Sequence, residues 1–102
     1  MIPASKVPRS IRIGGETFTI QVEAMDDWGQ CKWDKRRITI SSQALVNRST
    51  LRSTLFHEMT HAALMVSGLA WADKYDEEPI VRSLEHLLFP AWDLIDAKLR
   101  KL

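Results

Sequence analysis

Apolar and polar side chains alternate in several stretches of the first forty residues, and this period of two predicts a small antiparallel β-sheet. The segments 11–13 and 16–22 flank Gly14-Gly15, which supplies the positive φ angles of a two-residue hairpin turn. A short strand at 30–33 and an alternating strand at 36–41 bring the total to three or four antiparallel strands. The positions expected to face inward are Phe18, Ile20, Val22, Ile38 and Ile40.

Near residue 49 the apolar period changes to about 3.6 residues, which predicts an α-helix. Ser49 and Thr50 are the candidate N-caps, and Gly68 is a natural residue to follow the last turn. The opposite side of this helix also carries apolar residues, so we expect it to be buried nearly all round. Its main apolar stripe consists of Leu55, Met59, Ala62, Ala63 and Val66.

A second helix is predicted to begin at Asp76, a candidate N-cap that is followed by two glutamates suited to the positive end of a helix dipole. It is expected to extend to about Lys98. Pro90 should kink or break it near Phe89, because proline cannot donate a backbone hydrogen bond. Its apolar stripe consists of Ile80, Val81, Leu84, Leu87, Leu88, Ala91, Ile95 and Leu99. The fold class is therefore α+β, with the sheet packed on the two helices.

The first helix carries the most specific chemistry of the chain, in the stretch His57-Glu58-Met59-Thr60-His61. Two histidines four residues apart lie on one helix face with Cβ atoms about 5–6 Å apart, so both rings can bind one Zn²⁺ ion. Glu58 lies about 100° around the helix from His57, where it can reach a water molecule on the metal rather than the metal itself. Glu58 is therefore the candidate general base.

Composition limits what can surround this motif. The chain has 102 residues, 45% of them hydrophobic and 26% charged, which is typical of one globular domain spanning 1–102. Its single cysteine, Cys31, excludes an intrachain disulfide. No apolar run approaches the roughly 18 residues of a membrane span and the N-terminus lacks an apolar signal-peptide core, so we expect a cytoplasmic protein. A net charge of +1 argues against a nucleic-acid partner, and the sequence does not determine the oligomeric state.

The order of these features resembles that of a known protein family. A sheet, the histidine motif on a helix and Glu77-Glu78-x-Ile80-Val81 at the start of a second helix are similar to the small gluzincin-type zinc metallopeptidases, the minigluzincins. These are often encoded by phages and prophages and are related to the ImmA/IrrE class. The resemblance implies a zincin-like fold with one Zn²⁺ per chain. Its implied site residues are the zinc ligands His57, His61 and either Glu77 or Glu78, with Glu58 activating water.

The angular position of the two glutamates favours Glu77 as the third ligand. At about 100° per residue, Glu77 lies near the middle of the apolar stripe of the second helix, and Glu78 lies on its shoulder above Arg82. An unpaired carboxylate on an apolar face costs several kcal/mol, which coordination to a cation would offset. Glu78 stays the alternative ligand, and a helix that begins only at Pro79 would invalidate the angular argument.

The resemblance implies hydrolysis of a peptide bond in a protein or peptide substrate. Zinc would lower the pKa of a water molecule towards about 7 and polarise the scissile carbonyl, while Glu58 transfers the proton to the leaving amine. Tyr75 and His86 are candidates for stabilising the oxyanion. Larger gluzincins usually carry a second acidic or polar group near the third ligand to brace a histidine. Four residues beyond Glu77 this chain has Val81, and four beyond Glu78 it has Arg82.

Two functions of other classes stay open. The first is a non-catalytic domain in which zinc only stabilises the fold, with Cys31 as a fourth ligand that closes the site. The second is a phage-encoded interaction protein that uses a zincin scaffold to bind a partner. Glu58 argues against the first, because a purely structural zinc site has no use for a carboxylate beside the metal.

Overall fold

A computed structural model of the chain describes residues 1–68 and 76–100, so the predicted loop at 69–75 lies outside the described residues. Two short 3₁₀ turns, Ala4–Lys6 and Ser42–Val46, accompany the regular elements. The strands are β1 (Ser10–Ile13), β2 (Glu16–Glu23), β3 (Gly29–Lys32) and β4 (Arg37–Ser41). The helices are α1 (Arg48–Val66), α2 (Glu77–Ser83) and α3 (Phe89–Leu99), with a π-helical turn at Leu84–Leu88 between the last two.

The predicted α+β class is confirmed, but the sheet is mixed rather than fully antiparallel. Its strand order is β1-β2-β4-β3, and β2 pairs with β4 in parallel while the other two pairings are antiparallel. The chain passes from β2 to the edge position of β3 before it turns back into β4, so β4 runs in the same direction as β2. Alternation shows which residues face inward but carries no information on strand order.

The core lies between the two central strands and α1. Phe18, Ile38 and Ile40 are fully buried and Ile20 nearly so, as the alternation predicts, while Val22 is partly buried against them. From α1, Ala62 is buried and Leu55, Met59 and Val66 pack against this cluster. Ala63 is exposed, so its predicted place in the stripe is wrong.

The predicted hairpin turn is confirmed at Gly14 and Gly15, whose φ angles are 57° and 89°. Gly14 also allows a close approach of the turn to the end of α1. A Cβ atom at Gly14 would lie 2.7 Å from Cγ1 of Val66, which is closer than two carbon atoms can pack. The hairpin is therefore fixed against α1 through a position where only glycine fits.

The N-terminus of α1 differs from the prediction. Asn47 is the N-cap, and its side chain accepts a hydrogen bond of 2.8 Å from the backbone N–H of Thr50. Ser49 and Thr50, the predicted caps, lie inside the first turn. Asn47 has extended backbone angles while the residues after it are already helical, which is the backbone change that an N-cap requires. Gly68 follows the helix with a φ of 84°, as predicted.

The second helical segment begins at Glu77, with Asp76 at the N-cap position, although the Asp76 side chain makes no capping hydrogen bond. In place of a break near Phe89, the structure has a π-helical turn in which the Phe89 N–H bonds to the carbonyl of Leu84. Pro90 lacks an N–H group, and the wider turn immediately before it accommodates that loss.

The segment runs antiparallel to α1. Among its described side chains only Val81 is buried. The rings of Phe56 and Phe89 stack at 4.0 Å, and Arg52 forms an ion pair of 2.6 Å with Asp93. Of the predicted apolar stripe, Ile80, Leu88 and Leu99 are exposed, so the buried face is narrower than the sequence suggests. No helix within 1–68 or 76–100 is long and apolar enough to cross a membrane.

Candidate metal centre

One turn of α1 brings His57 and His61 together at the surface of the second helical segment. Their rings are 5.0 Å apart between centroids, and the two Nε2 atoms are 3.3 Å apart. Glu78 completes the group: its Oε1 lies 2.6 Å from Nε2 of His61 and 3.5 Å from Nε2 of His57. One ligand atom from each of these three residues lies within 4.8 Å of the others.

The opposite ring nitrogens of both histidines contact carboxylates. Nδ1 of His57 is hydrogen-bonded to Oε2 of Glu85, and Nδ1 of His61 to Oε1 of Glu77. Because an ionised carboxylate can only accept, each Nδ1 carries the proton and donates. In the neutral rings both Nε2 atoms then present lone pairs towards Glu78, so three acceptors converge on one point. Such a group is repulsive unless a cation or a proton lies between its members.

The donor set fits zinc on chemical grounds. Two imidazole nitrogens and one carboxylate oxygen are a ligand set found in catalytic zinc sites, which keep a further position open. Two ligand atoms about 2.0–2.1 Å from a tetrahedral ion are separated by about 3.3 Å, which matches the observed Nε2 separation of 3.3 Å. The contact between Glu78 and His61 is shorter than this and must widen by about 0.7 Å for an ion to enter.

Glu58 lies beside this group but outside it. Only 6% of the residue is exposed, and a methyl group at Gly29 would lie 3.0 Å from both its Cγ and its Oε2. Burial raises the pKa of Glu58, and the nearby charges of His57 and His61 only partly oppose this effect. A carboxylate whose pKa moves up towards neutrality is a stronger general base at physiological pH.

Charges within the group also shift the pKa values of His57 and Glu78. Burial alone would lower the pKa of His57, but the hydrogen bond to Glu85 and the surrounding carboxylates outweigh it and raise that pKa. For Glu78, burial acts to raise the pKa, and the hydrogen bond and charge of His61, with help from His57 and Arg82, lower it overall. The site therefore holds negative charge that attracts cations.

Two cavities meet at these side chains. One of about 640 Å³ extends past Trp28, Arg82 and His86, and one of about 520 Å³ extends along β3 past Cys31. Both are lined by residues of the candidate centre, namely Gly29, His57, Glu58 and Glu78. The candidate metal centre therefore lies in the wall of an open cleft that is bounded on one side by β3.

The structure places most of the predicted site residues around this cleft. His57, His61 and Glu58 lie together, and it is Glu78, the alternative, that reaches both Nε2 atoms, while Glu77 lies on the far side of His61. His86 is exposed on the wall of the larger cavity. Tyr75, the other candidate for the oxyanion, lies outside the described residues.

The angular positions of Glu77 and Glu78 on the helix do not separate them, because the buried face differs from the predicted stripe. Val81 lies at the centre of the buried face. Glu77 lies about 40° to one side of Val81 around the helix, and Glu78 about 60° to the other side. Both therefore flank the contact with α1. Glu77 is the more buried of the two, with 19% of its side chain exposed against 47% for Glu78. Its hydrogen bond with Nδ1 of His61 offsets the cost of burying its carboxylate. Glu78 also forms an ion pair of 3.4 Å with Arg82, one helical turn further along.

Sequence reasoning missed Glu85, which hydrogen-bonds His57. The spacing in the sequence contained a signal for Glu85. It follows Glu78 by seven residues, or nearly two helical turns, so the two glutamates lie about 20° apart on the helix surface.

Cys31 lines the smaller cavity, but it is not part of the group of possible ligands found among the described residues. Burial, with the charges of Glu58 and Glu77, raises the pKa of its thiol to about 12.

Comparison with known proteins identified a family. The sequence model of the SprT-like family, a zincin-like metallopeptidase-type family, matches residues 9–75, which include the sheet, α1 and both histidines. No curated protein and no solved structure matches the chain.

Proposed function

The chain belongs to the SprT-like family, and from this premise we propose that it is a zinc-dependent metallopeptidase that hydrolyses peptide bonds in a protein or peptide substrate. The observation that carries the proposal is the convergence of three zinc-type donors with a buried glutamate beside them. A site that only stabilised the fold would need a fourth protein ligand and no neighbouring base.

His57, His61 and Glu78 are the proposed zinc ligands, in place of the set with Glu77 that the sequence favoured. The distances support this choice, since Glu78 lies within 3.5 Å of both Nε2 atoms. Glu77 instead contacts Nδ1 of His61, on the other side of the ring from Nε2. A bound zinc ion would supply Lewis acidity, lowering the pKa of a water molecule and polarising the scissile carbonyl.

Glu58 is the proposed general base and acid. It takes a proton from the attacking water and passes it to the leaving amine, so the peptide bond is replaced by a carboxylate and a free amine. Its burial supports this role, because it keeps bulk water away from the proton that Glu58 must hold. The substrate lies in the cleft beside β3, the last strand of the sheet order, whose outer edge has no strand partner among residues 1–68 and 76–100.

The finer parts of the sequence resemblance stay predictions. These are a phage or prophage origin, a relationship to the ImmA/IrrE class, and action in the cytoplasm of a bacterial host. The sequence also favours a partner that is a protein or peptide rather than a nucleic acid.

The test combines metal analysis with hydrolysis. We expect the purified protein to hold about one zinc per chain and to cleave members of a mixed peptide library. Glu58→Gln should keep the zinc and the fold but lower kcat by about 10²–10⁴-fold, because the amide cannot accept the proton. The matched control is Glu23→Gln, a glutamate exposed at the end of β2.

Three outcomes would contradict the proposal. A wild-type protein that does not bind zinc would exclude the metal centre. Turnover at the wild-type rate in Glu58→Gln would remove Glu58 from the mechanism. A zinc-loaded protein that cleaves no member of the library would favour the non-catalytic alternatives.

A further inference from the structure

We propose that Glu77 and Glu85 are positioning residues, each of which holds one metal-binding histidine in the tautomer and orientation that zinc requires. This inference rests on the proposed function, since it assigns a task to residues around the same centre. It gives Glu77 a different role from that of a ligand.

The contacts assign one carboxylate to each ring. Glu85 accepts the Nδ1 proton of His57, and Glu77 accepts that of His61. Only 18% of the Glu85 side chain and 19% of the Glu77 side chain are exposed, so water competes little for these bonds. A carboxylate that receives the Nδ1 proton keeps the lone pair on Nε2 and makes that nitrogen a stronger metal ligand.

Glu77, Glu78 and Glu85 all come from the second helical segment, but the two that contact the rings are not spaced one helical turn from Glu78. Arg82, four residues beyond Glu78, forms an ion pair with Glu78 itself. The contacts to the rings come instead from the residue before Glu78 and from the residue seven beyond it. Glu77 meets His61, and further along the antiparallel segment Glu85 meets His57.

The π-helical turn has a place in this arrangement. Glu85 lies within it, and the turn ends where Phe89 stacks on Phe56 at 4.0 Å. This ring pair lies next to His57 in α1 and so fixes the segment close to the bond that Glu85 makes. Single π turns inside helices often occur at functional sites. The turn before Pro90 thus fixes Glu85 beside His57.

The test measures zinc affinity by competition with a chelator, with Co²⁺ as a spectroscopic substitute for zinc. We expect Glu77→Ala and Glu85→Ala each to weaken zinc binding by about 10–100-fold. Glu77→Gln and Glu85→Gln should lose less, because an amide oxygen still accepts the Nδ1 proton. The Co²⁺ absorption spectrum should keep the intensity that reports an unchanged number of ligands.

Asp93→Asn is the matched control. It removes an ion pair of 2.6 Å that joins the same helices through Arg52 but touches neither histidine, so zinc affinity should stay at the wild-type level. Circular dichroism of the metal-free variants separates loss of fold from loss of affinity.

Wild-type affinity in both alanine variants would overturn the inference while leaving the proposed function intact. So would a Glu77→Gln variant that loses zinc as completely as Glu78→Gln and changes the Co²⁺ spectrum, because Glu77 would then be a ligand. A wild-type protein without zinc affinity would overturn the proposed function itself.

Discussion

At the scale of single residues, the closest approach within the site is between Gly29 and Glu58. The space that a side chain at Gly29 would fill is bounded by Cγ and Oε2 of Glu58 and by the carbonyl oxygen of Thr39, all 3.0 Å from the Cβ position. The Thr39 carbonyl belongs to the backbone of β4, which is held in place by its pairing in the sheet, so it cannot move away from an added side chain. Gly29 therefore sets the position of Glu58, the proposed general base, without contributing any chemistry.

We predict that Gly29→Ala lowers kcat by about 10–100-fold while zinc stays bound, because displacing Glu58 by a fraction of an ångström misplaces the proton transfer. Overpacking should also reduce the free energy of unfolding by about 1–3 kcal/mol. Steady-state kinetics and urea denaturation measure the two effects. Gln21→Ala, at an exposed position of β2 outside the cleft, is the control, and equal activity in both variants would contradict the expected displacement of Glu58.

Cys31 gives a second prediction at this scale. With a pKa of about 12, its thiol is almost entirely protonated at pH 8, whereas an ordinary cysteine is partly ionised there. In the folded, metal-free protein we expect alkylation by iodoacetamide at least about 100-fold slower than in urea. Cys31→Ser should bind zinc with unchanged affinity. Fast labelling would contradict the raised pKa of the thiol, and loss of zinc in Cys31→Ser would restore Cys31 as a fourth ligand and a closed site.

At the scale of elements, the position of α1 depends on its first turn and on what packs along its length. The Asn47 side chain fixes where the helix begins, and the hydroxyls of Thr54 and Thr60 bond back to carbonyls one turn earlier at 2.8 and 2.7 Å. Because the two histidines lie on this one helix, their relative positions depend on α1 remaining regular between them.

We predict that Asn47→Ala reduces the free energy of unfolding by about 1 kcal/mol, because the N–H of Thr50 loses its acceptor. Ser49→Ala, at a position already inside the helix, should change it by less than about 0.5 kcal/mol. Urea denaturation of the metal-free variants gives both values. A larger loss of unfolding free energy in Ser49→Ala than in Asn47→Ala would identify Ser49, as predicted from the sequence, as the N-cap.

At the scale of the whole molecule, the candidate metal centre joins two parts of the fold. The two histidines belong to α1, which packs on the sheet, while Glu78 belongs to the second helical segment. Among the side chains of that segment that the structure describes, only Val81 is buried. That segment contributes little apolar burial among its described residues, so a bound ion would add a bond between the two parts. Metal binding and docking of the segment should therefore be coupled.

We predict that zinc at about 100 times its dissociation constant stabilises the fold by about 2.7 kcal/mol. For a domain of this size that raises Tm by about 10–20 °C. Differential scanning calorimetry with zinc and with a chelator measures the shift. His61→Ala should show none of it, since two ligands do not hold the ion against a chelator. The same Tm in zinc and in chelator for the wild type would contradict the coupling.

Features that depend on local spacing follow from the sequence alone. Two histidines four apart on a helix must share a face, alternating residues must put Phe18, Ile38 and Ile40 on one side of a sheet, and two glycines permit the hairpin turn. These three features are present in the structure.

Which surfaces meet depends instead on how the elements pack in three dimensions. The parallel pairing of β2 with β4 depends on the path of the chain through β3, which no strand encodes in its own residues. The choice between Glu77 and Glu78 depends on how the second helical segment is rotated against α1, and both glutamates lie at similar angles to its buried face. Glu85 meets His57 because two segments far apart in sequence pack antiparallel, and periodicity within one helix carries no information about its neighbour.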